Sequence, residues 1–523
     1  MSTEEVVVKF YDAICEYGRP GRLGKTFQTK NNYYFLDAGT GKVAQIRKSV
    51  YDILTTLLES DDATELLQLS MDSNELIQGI EEIQEAIKTE HILSANKVET
   101  LTGEAVTDLD EALDHRVQNV TLEVTEKCNL RCKYCIYNPS HPEYREFGHK
   151  DMDWETAKKA IDFLKLHSDK AEETHIGFYG GEPLMNFPLI KQATEYALNV
   201  FDGKMTFAMT TNATLVSDEI ADFLMCHDFN IIVSLDGPEE LHDANRIMVD
   251  GKGSYAKTVQ GVKKLLEAEK RWKKESKISF NMVVSGPDYK NKYNRIQEFL
   301  DNAEWIPDNI GVLTSSVDRG PEDSEYYLPQ SKEEFRYVKS AYDPLDDWDN
   351  HYRDEHAERE KSLFSDSVID KGLSIIHQRL LSDKPVKNYG MNGCCVPGER
   401  RIYVTVSGEF LLCEKVGNIP IIGNVNEGFY KERIRKLYVD SFIQEAKKYC
   451  GECWAVNLCS MCYVNCFDQN GTHFSYRHNS CRSERIYLEN NLVRYHTILE
   501  ENPERLLEYN QKAVSYTHLR AHE

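Results

Sequence analysis

The chain has 523 residues, a length that corresponds to roughly three or four domains of ordinary size. Apolar residues make up 41% of the chain and charged residues 28%, which allows buried cores and argues against a disordered protein. The formal net charge of -24 argues against a nucleic-acid-binding protein, because the phosphates would be repelled.

The first residues, MSTEEVVVKF, contain neither a basic segment nor a long apolar one, so we expect no secretory signal. No apolar run approaches the roughly 18 residues that cross a bilayer. We therefore expect a cytoplasmic protein whose 14 cysteines stay reduced. Twelve of them lie within residues 128–135 and 394–481, and only Cys15 and Cys226 stand alone, a clustering that is typical of metal binding.

Residues 1–110 form the first predicted unit. Residues 33–37 and 42–46 flank a glycine-containing turn and predict a hairpin of two strands. Apolar residues recur at helical spacing after Val50, and residues 73–92 also predict a helix. These elements indicate a small α+β module of winged-helix size.

Residues 118–315 alternate predicted strands with predicted helices. The helices begin after the N-cap residues Asp153 and Ser217, and a third is centred near Val262. Repeated βα units predict a parallel sheet or a full or partial barrel, with the working loops at the carboxyl ends of the strands. The predicted strands cover residues 120–124, 175–179, 206–210, 231–234 and 278–284.

The rest of the chain divides by composition. Residues 316–392 are rich in charged and aromatic residues and predict a helical bridge, and residues 393–483 hold nine cysteines. Residues 484–514 predict a C-terminal helix. Residues 515–523 resemble a translated adaptor fragment, and we interpret them as a non-native tail.

The first cysteine group has the spacing C-x3-C-x2-C and follows the first strand of the βα region. Three thiolates on one loop, Cys128, Cys132 and Cys135, can hold three irons of a [4Fe–4S] cluster and leave the fourth iron open. Zinc normally takes four ligands, and His141 or His149 would have to complete such a site. The position of the loop favours the cluster, because barrel enzymes keep their active sites at strand ends.

This run, with Tyr134 at its aromatic position, resembles the signature of the radical S-adenosylmethionine (radical SAM) family. The resemblance implies a partial (β/α)6 barrel in which S-adenosylmethionine chelates the open iron. It also implies that the cluster delivers an electron that breaks the sulfonium bond and yields a 5′-deoxyadenosyl radical. The protein places and shields that cofactor chemistry. An external electron donor such as flavodoxin or ferredoxin is a further implied partner.

Four further motifs support the resemblance. Gly180, Gly181 and Glu182 match the Gly-Gly-Glu-Pro motif, whose glycines let the backbone approach a ligand and whose carboxylate can accept a bond from the methionine amine. Asn212 ends the next strand, although the family more often has glycine at the following position, Ala213. Related enzymes hold the methionine carboxylate with a serine and an arginine. The corresponding residues are Ser234 and Arg246.

The second cysteine region resembles the SPASM extension, which carries two auxiliary [4Fe–4S] clusters in peptide-modifying relatives. The spacing departs from the usual pattern, because only two residues separate Cys459 from Cys462, position 463 is Tyr, and Cys394 adjoins Cys395. The resemblance assigns an outer cluster to four cysteines and an inner cluster to three, whose fourth ligand would be Cys394, Cys466 or a substrate thiolate. The outer set is Cys450, Cys453, Cys459 and Cys481, and the inner set is Cys395, Cys413 and Cys462. Two zinc knuckles, or one cluster with spare thiols, are the alternatives.

The N-terminal module resembles the leader-recognition element of enzymes that mature ribosomally made peptides, in which a leader adds a strand to a sheet edge. We therefore expect a precursor peptide with a leader as partner and a thioether crosslink in a Cys-rich peptide as product. Glu414, next to Cys413, could act as the base, or it could be a solvated carboxylate.

Other functions remain open at this stage. Carbon–carbon crosslinking or epimerisation would use nearly the same protein, and an epimerase would need a thiol hydrogen donor such as Cys466 or a buried Cys226. Anaerobic sulfatase maturation and a non-catalytic zinc-binding protein are the remaining alternatives.

Overall fold

A computed structural model of the chain describes residues 2–139, 141, 144–284, 289–315, 363–391, 393–462, 466–507 and 509–510. Residues 316–362 of the predicted bridge, Tyr463 and the predicted tail at 515–523 lie outside this range. In the part of the chain that is described, no helix is long and apolar enough to cross a membrane.

The N-terminal module is a three-stranded antiparallel sheet with three helices. The first helix begins with a capping box: Ser2 Oγ accepts from the Glu5 amide, and the Glu5 carboxylate accepts from the Ser2 amide. The predicted hairpin and both predicted helices are confirmed, and one additional strand precedes the hairpin. The helices are α1 (Thr3–Cys15), α2 (Lys48–Glu59) and α3 (Ser73–Glu90), and the strands are β1 (Gly24–Gln28), β2 (Tyr33–Asp37) and β3 (Val43–Ile46).

A linker joins this module to the βα region. It contains a short strand, β4 (Leu101–Thr102), and two helices, α4 (Glu104–Thr107) and α5 (Leu109–His115). The strand pairs in parallel with β11 (Tyr389–Gly390), which lies far along the chain. The linker is therefore held against the C-terminal half of the protein.

Six parallel strands in chain order form the centre of the described structure. All seven residues of the first strand are buried, because the sheet is covered on both faces. The predicted strands and the predicted N-caps Asp153 and Ser217 are confirmed. The strands are β5 (Asn119–Thr125), β6 (His175–Gly180), β7 (Thr206–Thr211), β8 (Asn230–Ser234), β9 (Ile278–Val283) and β10 (Gly311–Ser315). The helices between them are α6 (Trp154–Leu166), α7 (Phe187–Val200), α8 (Asp218–Cys226), α9 (Glu239–Asn245), α10 (Tyr255–Arg271) and α11 (Tyr289–Asn302).

The cysteine-rich region continues the same sheet. Its first strand, β12, pairs in parallel with β5, with Ile402 beside Val120, and the following strands pair antiparallel. Phe410 and Ile422 belong to the same buried core as the parallel strands. The strands are β12 (Ile402–Val404), β13 (Glu409–Leu411), β14 (Gly423–Asn424) and β15 (Gly428–Phe429).

The remaining elements surround the last cysteines. The C-terminal helix, α15 (Phe474–Glu501), begins ten residues earlier than predicted, so Cys481 lies on it. One face of the N-terminal sheet packs on this helix and on the helix Leu363–His377, with Phe27 and Tyr34 buried there. The other elements are α12 (Leu363–His377), α13 (Lys431–Arg433), a π-helical segment (Ile434–Ser441), α14 (Phe442–Cys450), β16 (Phe467–Asp468) and β17 (Gly471–Thr472).

Candidate radical site and auxiliary cysteine sites

The loop that follows β5 carries Cys128, Cys132 and Cys135. Its backbone is bonded to the segment after α9, because the Arg131 amide donates to the Ile247 carbonyl at 2.7 Å and the Lys133 amide donates to the Asn245 carbonyl at 3.0 Å. The loop therefore has a fixed shape at the carboxyl end of the first parallel strand.

The three thiols are shielded from solvent, and their charges influence one another's pKa. Burial raises the pKa of Cys128 to about 12, with a smaller contribution from the charge of Glu182. Burial also raises the pKa of Cys135 to about 11 and shifts the pKa of Cys132 in the same direction.

This donor set fits a [4Fe–4S] cluster. Among the described residues, no three Cys, His, Asp or Glu side chains converge as the ligands of a single metal ion would. A four-iron cube has a different requirement, since each thiolate binds its own iron and the ligands stay apart. His149, one of the two alternative zinc ligands, is exposed, and His141 is buried.

Gly180 and Gly181 are required by backbone packing. Gly180 has a φ of +135°, and a Cβ there would lie 2.2 Å from the Thr125 carbonyl oxygen. A Cβ on Gly181 would lie 2.1 Å from the Lys127 carbonyl oxygen. The Gly181 amide also donates to Thr125, and the Glu182 amide donates to Lys127. The two glycines thus bring this loop against the residues that lead into Cys128, a packing role that the motif alone did not indicate.

Glu182 is 1% exposed and joins the ends of two strands. Its carboxylate accepts from the Leu184 amide (3.1 Å), the Thr211 hydroxyl (2.6 Å) and the Asn212 amide (2.8 Å). Burial raises the pKa of Glu182 despite these bonds. A carboxylate has about four acceptor positions, so one more donor can still be accommodated.

Asn212 is bonded to the cysteine loop. Its Nδ2 donates to Asn129 Oδ1 at 2.9 Å, and its Oδ1 accepts from the Thr214 hydroxyl at 2.6 Å. The next residue, Ala213, has a φ of +58°, a left-handed conformation that favours glycine. Ala213 therefore adopts, at the position where the resemblance predicts glycine, a backbone conformation that glycine favours.

Asp236 connects the aromatic position of the cysteine run to Arg246. Its carboxylate accepts from the Tyr134 hydroxyl, pairs with Arg246 Nε at 3.0 Å and accepts from the Val283 amide at 3.0 Å. Both Asp236 and Arg246 are buried, and the charge of Arg246 acts on the Cys132 thiol to lower its pKa against the larger effect of burial. Ser234 lies at the end of β8 in register with Asn281. Arg246 thus lies next to the predicted cluster.

The inner set of cysteines surrounds a buried ion pair. Arg401 Nη1 contacts both oxygens of Glu414, at 2.6 and 2.8 Å. The charges of Cys413 and Cys395 help to raise the pKa of Arg401, and the charge of Cys462 helps to raise the pKa of Cys413. Cys395 and Cys413 therefore lie near this ion pair, and Cys462 lies near Cys413.

Glu414 is not a solvated carboxylate, which corrects that expectation. Its side chain is 10% exposed. Burial acts to raise the pKa of Glu414, but the charge of Arg401 acts in the opposite direction, and the pKa lies below its usual value. Glu414 is consequently ionised and held in place by Arg401.

The outer set lines one cavity. All four predicted cysteines, Cys450, Cys453, Cys459 and Cys481, contribute to its wall. These residues come from α14, the loop that follows it and α15, so the long C-terminal helix supplies the fourth thiol. The cavity matches the predicted outer set.

Three other cysteines lie outside the inner and outer sets. Cys466 is fully buried in the main core beside Phe467, and Cys394 packs partly buried against the same core. Cys226 is exposed rather than buried, which corrects the expectation. It ends α8, just before β8 begins, and so lies at the opposite end of the barrel from the Cys128 loop. Cys226 is not positioned to donate hydrogen at the radical site.

The segment after the first cysteine loop contacts the inner site. The Tyr144 hydroxyl donates to the Lys415 carbonyl at 2.8 Å. Burial raises the pKa of Tyr179 well above its usual value, and the charges of Glu414 and Cys135 contribute to the shift. Tyr179 is therefore close to both the first cysteine loop and the inner site.

Sequence reasoning did not assign roles to Asp236, Arg401 and Tyr179. Asp236 follows a recognised strand end by two residues, so its position in the sequence was a usable signal. Arg401 had no such signal in the sequence. It reaches Glu414 only because the antiparallel strands β12 and β13 lie side by side.

Comparison with known proteins supports this interpretation. Residues 122–289 match the radical SAM superfamily. The radical SAM cyclopropyl synthase TigE of Paramaledivibacter caminithermalis is 25% identical over 296 residues, which cover 54% of this chain and 60% of that one. A cysteine-type anaerobic sulfatase-maturating enzyme of Clostridium novyi is 24% identical over 386 residues, 70% of this chain and 93% of that one.

The chain covers less than two thirds of the length of two curated relatives that it matches. It covers 60% of TigE and 48% of the other. The solved structure of native anSMEcpe with bound AdoMet has a TM-score of 0.52 and 21% identity, and the match covers 73% of this chain and 99% of that one. That similarity establishes a shared fold. S-adenosylmethionine and a [4Fe–4S] cluster are the cofactors of radical SAM proteins, and the Cys128 loop lies inside the matched residues. The chain therefore contains a radical SAM domain at residues 122–289.

Proposed function

We propose that this protein modifies a ribosomally made, Cys-rich peptide and installs a thioether crosslink. The observation that carries the proposal is the contact between the segment after the first cysteine loop and the inner site through Tyr144 and Lys415. A peptide carbon at the radical site would then lie near the site that can bind a cysteine sulfur. The similarity to the radical SAM cyclopropyl synthase TigE supports a radical SAM reaction that forms a new covalent bond.

Each residue has a role in this proposal. When bound, the cluster and S-adenosylmethionine supply a 5′-deoxyadenosyl radical that abstracts hydrogen. Cys128, Cys132 and Cys135 hold that cluster, Arg246 and Ser234 orient the methionine carboxylate, and Glu182 receives the amine. A guanidinium is suited to a carboxylate because its N–H groups are fixed in a fork.

The inner and outer cysteine sets hold the auxiliary clusters, and the fourth iron of the inner cluster is left open for the sulfur of the peptide cysteine. The carbon loses its hydrogen atom to the 5′-deoxyadenosyl radical, and Glu414, aligned by Arg401, accepts the proton that the peptide thiol releases. An auxiliary cluster, when bound, would take the one electron that remains as the carbon–sulfur bond forms. The Arg401 charge makes Glu414 a weaker base in this state.

The outer edge of β3 is the site that we propose for the leader peptide. This strand ends the three-stranded sheet, and its residues Ala44 and Gln45 are exposed. At the opposite end of the sheet, β1 contacts α15, where Lys25 pairs with Glu489 at 3.3 Å. An extended peptide can add a strand at the edge of β3.

The test is anaerobic co-expression with a short Cys-rich peptide encoded next to this gene, followed by mass spectrometry of the peptide. We expect a loss of two hydrogens for each crosslink, with the cysteine thiol blocked. The Glu414→Gln variant should lose the crosslink and retain cleavage of S-adenosylmethionine, whereas Glu409→Gln, an exposed site on β13, should behave as wild type. An unchanged peptide mass, or a two-hydrogen loss with all thiols still reactive, would exclude thioether formation.

Sulfatase maturation is a second candidate. It is favoured by the similarity to the Clostridium novyi enzyme over 93% of that enzyme's length. In this case a short sulfatase peptide that contains the target cysteine should be oxidised without any leader. A requirement for the leader would decide against it.

A further inference from the structure

Arg22, in the N-terminal module, is buried and bonded only to backbone carbonyls among the described residues. Its side chain donates to the carbonyls of Tyr17 (2.8 Å), Ala95 (3.0 Å), Gly451 (3.2 Å) and Asn96. The residue is 4% exposed, and no described Asp or Glu forms an ion pair with it. A buried charge that is held by four carbonyls resists any movement that would remove one of them.

The carbonyls at residues 95 and 96 belong to the linker that continues into the wall of the four-cysteine cavity. Asn96 also accepts from the Tyr389 hydroxyl at 2.8 Å and donates to the Val386 carbonyl at 2.9 Å. Leu101 on β4 and Gly390 on its partner strand β11 both line the cavity. Arg22 therefore fixes the segment that forms one side of the outer site.

The Gly451 carbonyl, which also accepts from Arg22, belongs to the outer cysteine loop itself. Gly451 follows Cys450, and its amide donates to the Lys447 carbonyl at 3.0 Å, so it ends α14 where the outer cysteine loop begins. A second bond holds the following turn, since Asn457 Nδ2 donates to the Ala38 carbonyl at 2.9 Å. The N-terminal module thus contacts the segment from Cys450 to Cys459 near both ends.

We propose that the N-terminal module completes the outer cluster site, with Arg22 as the positioning residue. The module then has a role beyond peptide recognition, because the four thiols reach their geometry only when it is docked. A contact of Arg22 with the cluster is not required, since the residue acts through the linker and the Gly451 carbonyl. This inference rests on the proposal that the four cysteines hold an iron–sulfur cluster.

The experiment compares Arg22→Met and Arg22→Lys in the full chain after anaerobic reconstitution. Arg22→Met should lose about four irons per chain, the content of one cluster, and still make 5′-deoxyadenosine from S-adenosylmethionine. Arg22→Lys should recover part of the iron. The control is Arg19→Met, which removes an exposed arginine paired with Asp61 and should leave the iron content unchanged.

Hydrogen exchange of the iron-free protein provides a second readout. The amides of residues 450–459 should exchange roughly tenfold faster in Arg22→Met than in wild type, because the loop loses a bond from a charged donor. If Arg22→Met fails to fold, Asn457→Ala tests the second contact with the same measurements. Unchanged iron and unchanged exchange in the variant would overturn the inference. If Cys481→Ala also loses no iron, the outer cluster itself is absent and the proposed function fails instead.

Discussion

The hydroxyl of Tyr144 donates a 2.8 Å hydrogen bond to the backbone carbonyl of Lys415, and this bond joins the segment after the first cysteine loop to the inner cysteine site. Tyr144→Phe should therefore lower the rate of peptide modification roughly three- to tenfold, as expected for one lost hydrogen bond at a positioning contact. Cleavage of S-adenosylmethionine without peptide should be unchanged, because the first loop keeps its own bonds.

Single-turnover assays of both reactions give the two rates. Tyr17→Phe, a change at an exposed tyrosine of the N-terminal module, is the control. An equal fall in both rates would mean that Tyr144 supports only the first loop.

Gly180 and Gly203 form a matched pair for the close packing after β6. Both have positive φ, but a Cβ meets the Thr125 carbonyl oxygen at 2.2 Å at position 180 and nothing within 4 Å at position 203. We expect Gly180→Ala to lower the free energy of unfolding by about 2–4 kcal/mol and Gly203→Ala by about 1 kcal/mol. Urea unfolding under argon measures both values, and equal losses would show that the close contact with Thr125 adds no cost.

His242 should make stability depend on pH. It is buried, its Nδ1 accepts from the Asp236 amide and its Nε2 contacts Ser254 Oγ at 2.9 Å, so the ring is neutral. Burial, with the charge of Arg246 second, lowers its pKa to about 3 from 6.5. Below pH 6.5 the unfolded chain therefore binds a proton that the folded chain does not bind. The free energy of unfolding falls by about 1.4 kcal/mol per pH unit toward pH 3.

The difference between wild type and His242→Gln isolates this residue, because other histidines contribute equally to both proteins. The free energy of unfolding between pH 7 and pH 4.5 should fall less steeply in the variant. His227→Gln, at the end of α8, should retain the slope of the wild type. Parallel slopes for all three proteins would contradict the assignment.

Most of the barrel was predictable, because strand and helix periodicities are local properties of the sequence. Asp153 and Ser217 cap their helices as expected, and the motif residues lie at the ends of β5 to β8. The state of Glu414 was not predictable, since it depends on Arg401, whose proximity comes from the antiparallel pairing of β12 with β13. The exposure of Cys226 was also missed, because the apolar pattern of α8 does not specify which face its last residue occupies.

The contact between the N-terminal module and the outer site was likewise beyond sequence reasoning. Arg22 and Gly451 are far apart in the chain and carry no motif. Only the fold places them together.

The most direct test of the account is the amount of 5′-deoxyadenosine that reduced, anaerobic protein forms from S-adenosylmethionine after Cys128, Cys132 and Cys135 are all replaced by alanine. We predict that formation falls to background, while Cys226→Ala, a change at an exposed thiol, retains the rate of the wild type. Formation at the wild-type rate by the triple variant would contradict the assignment of the radical site to this loop.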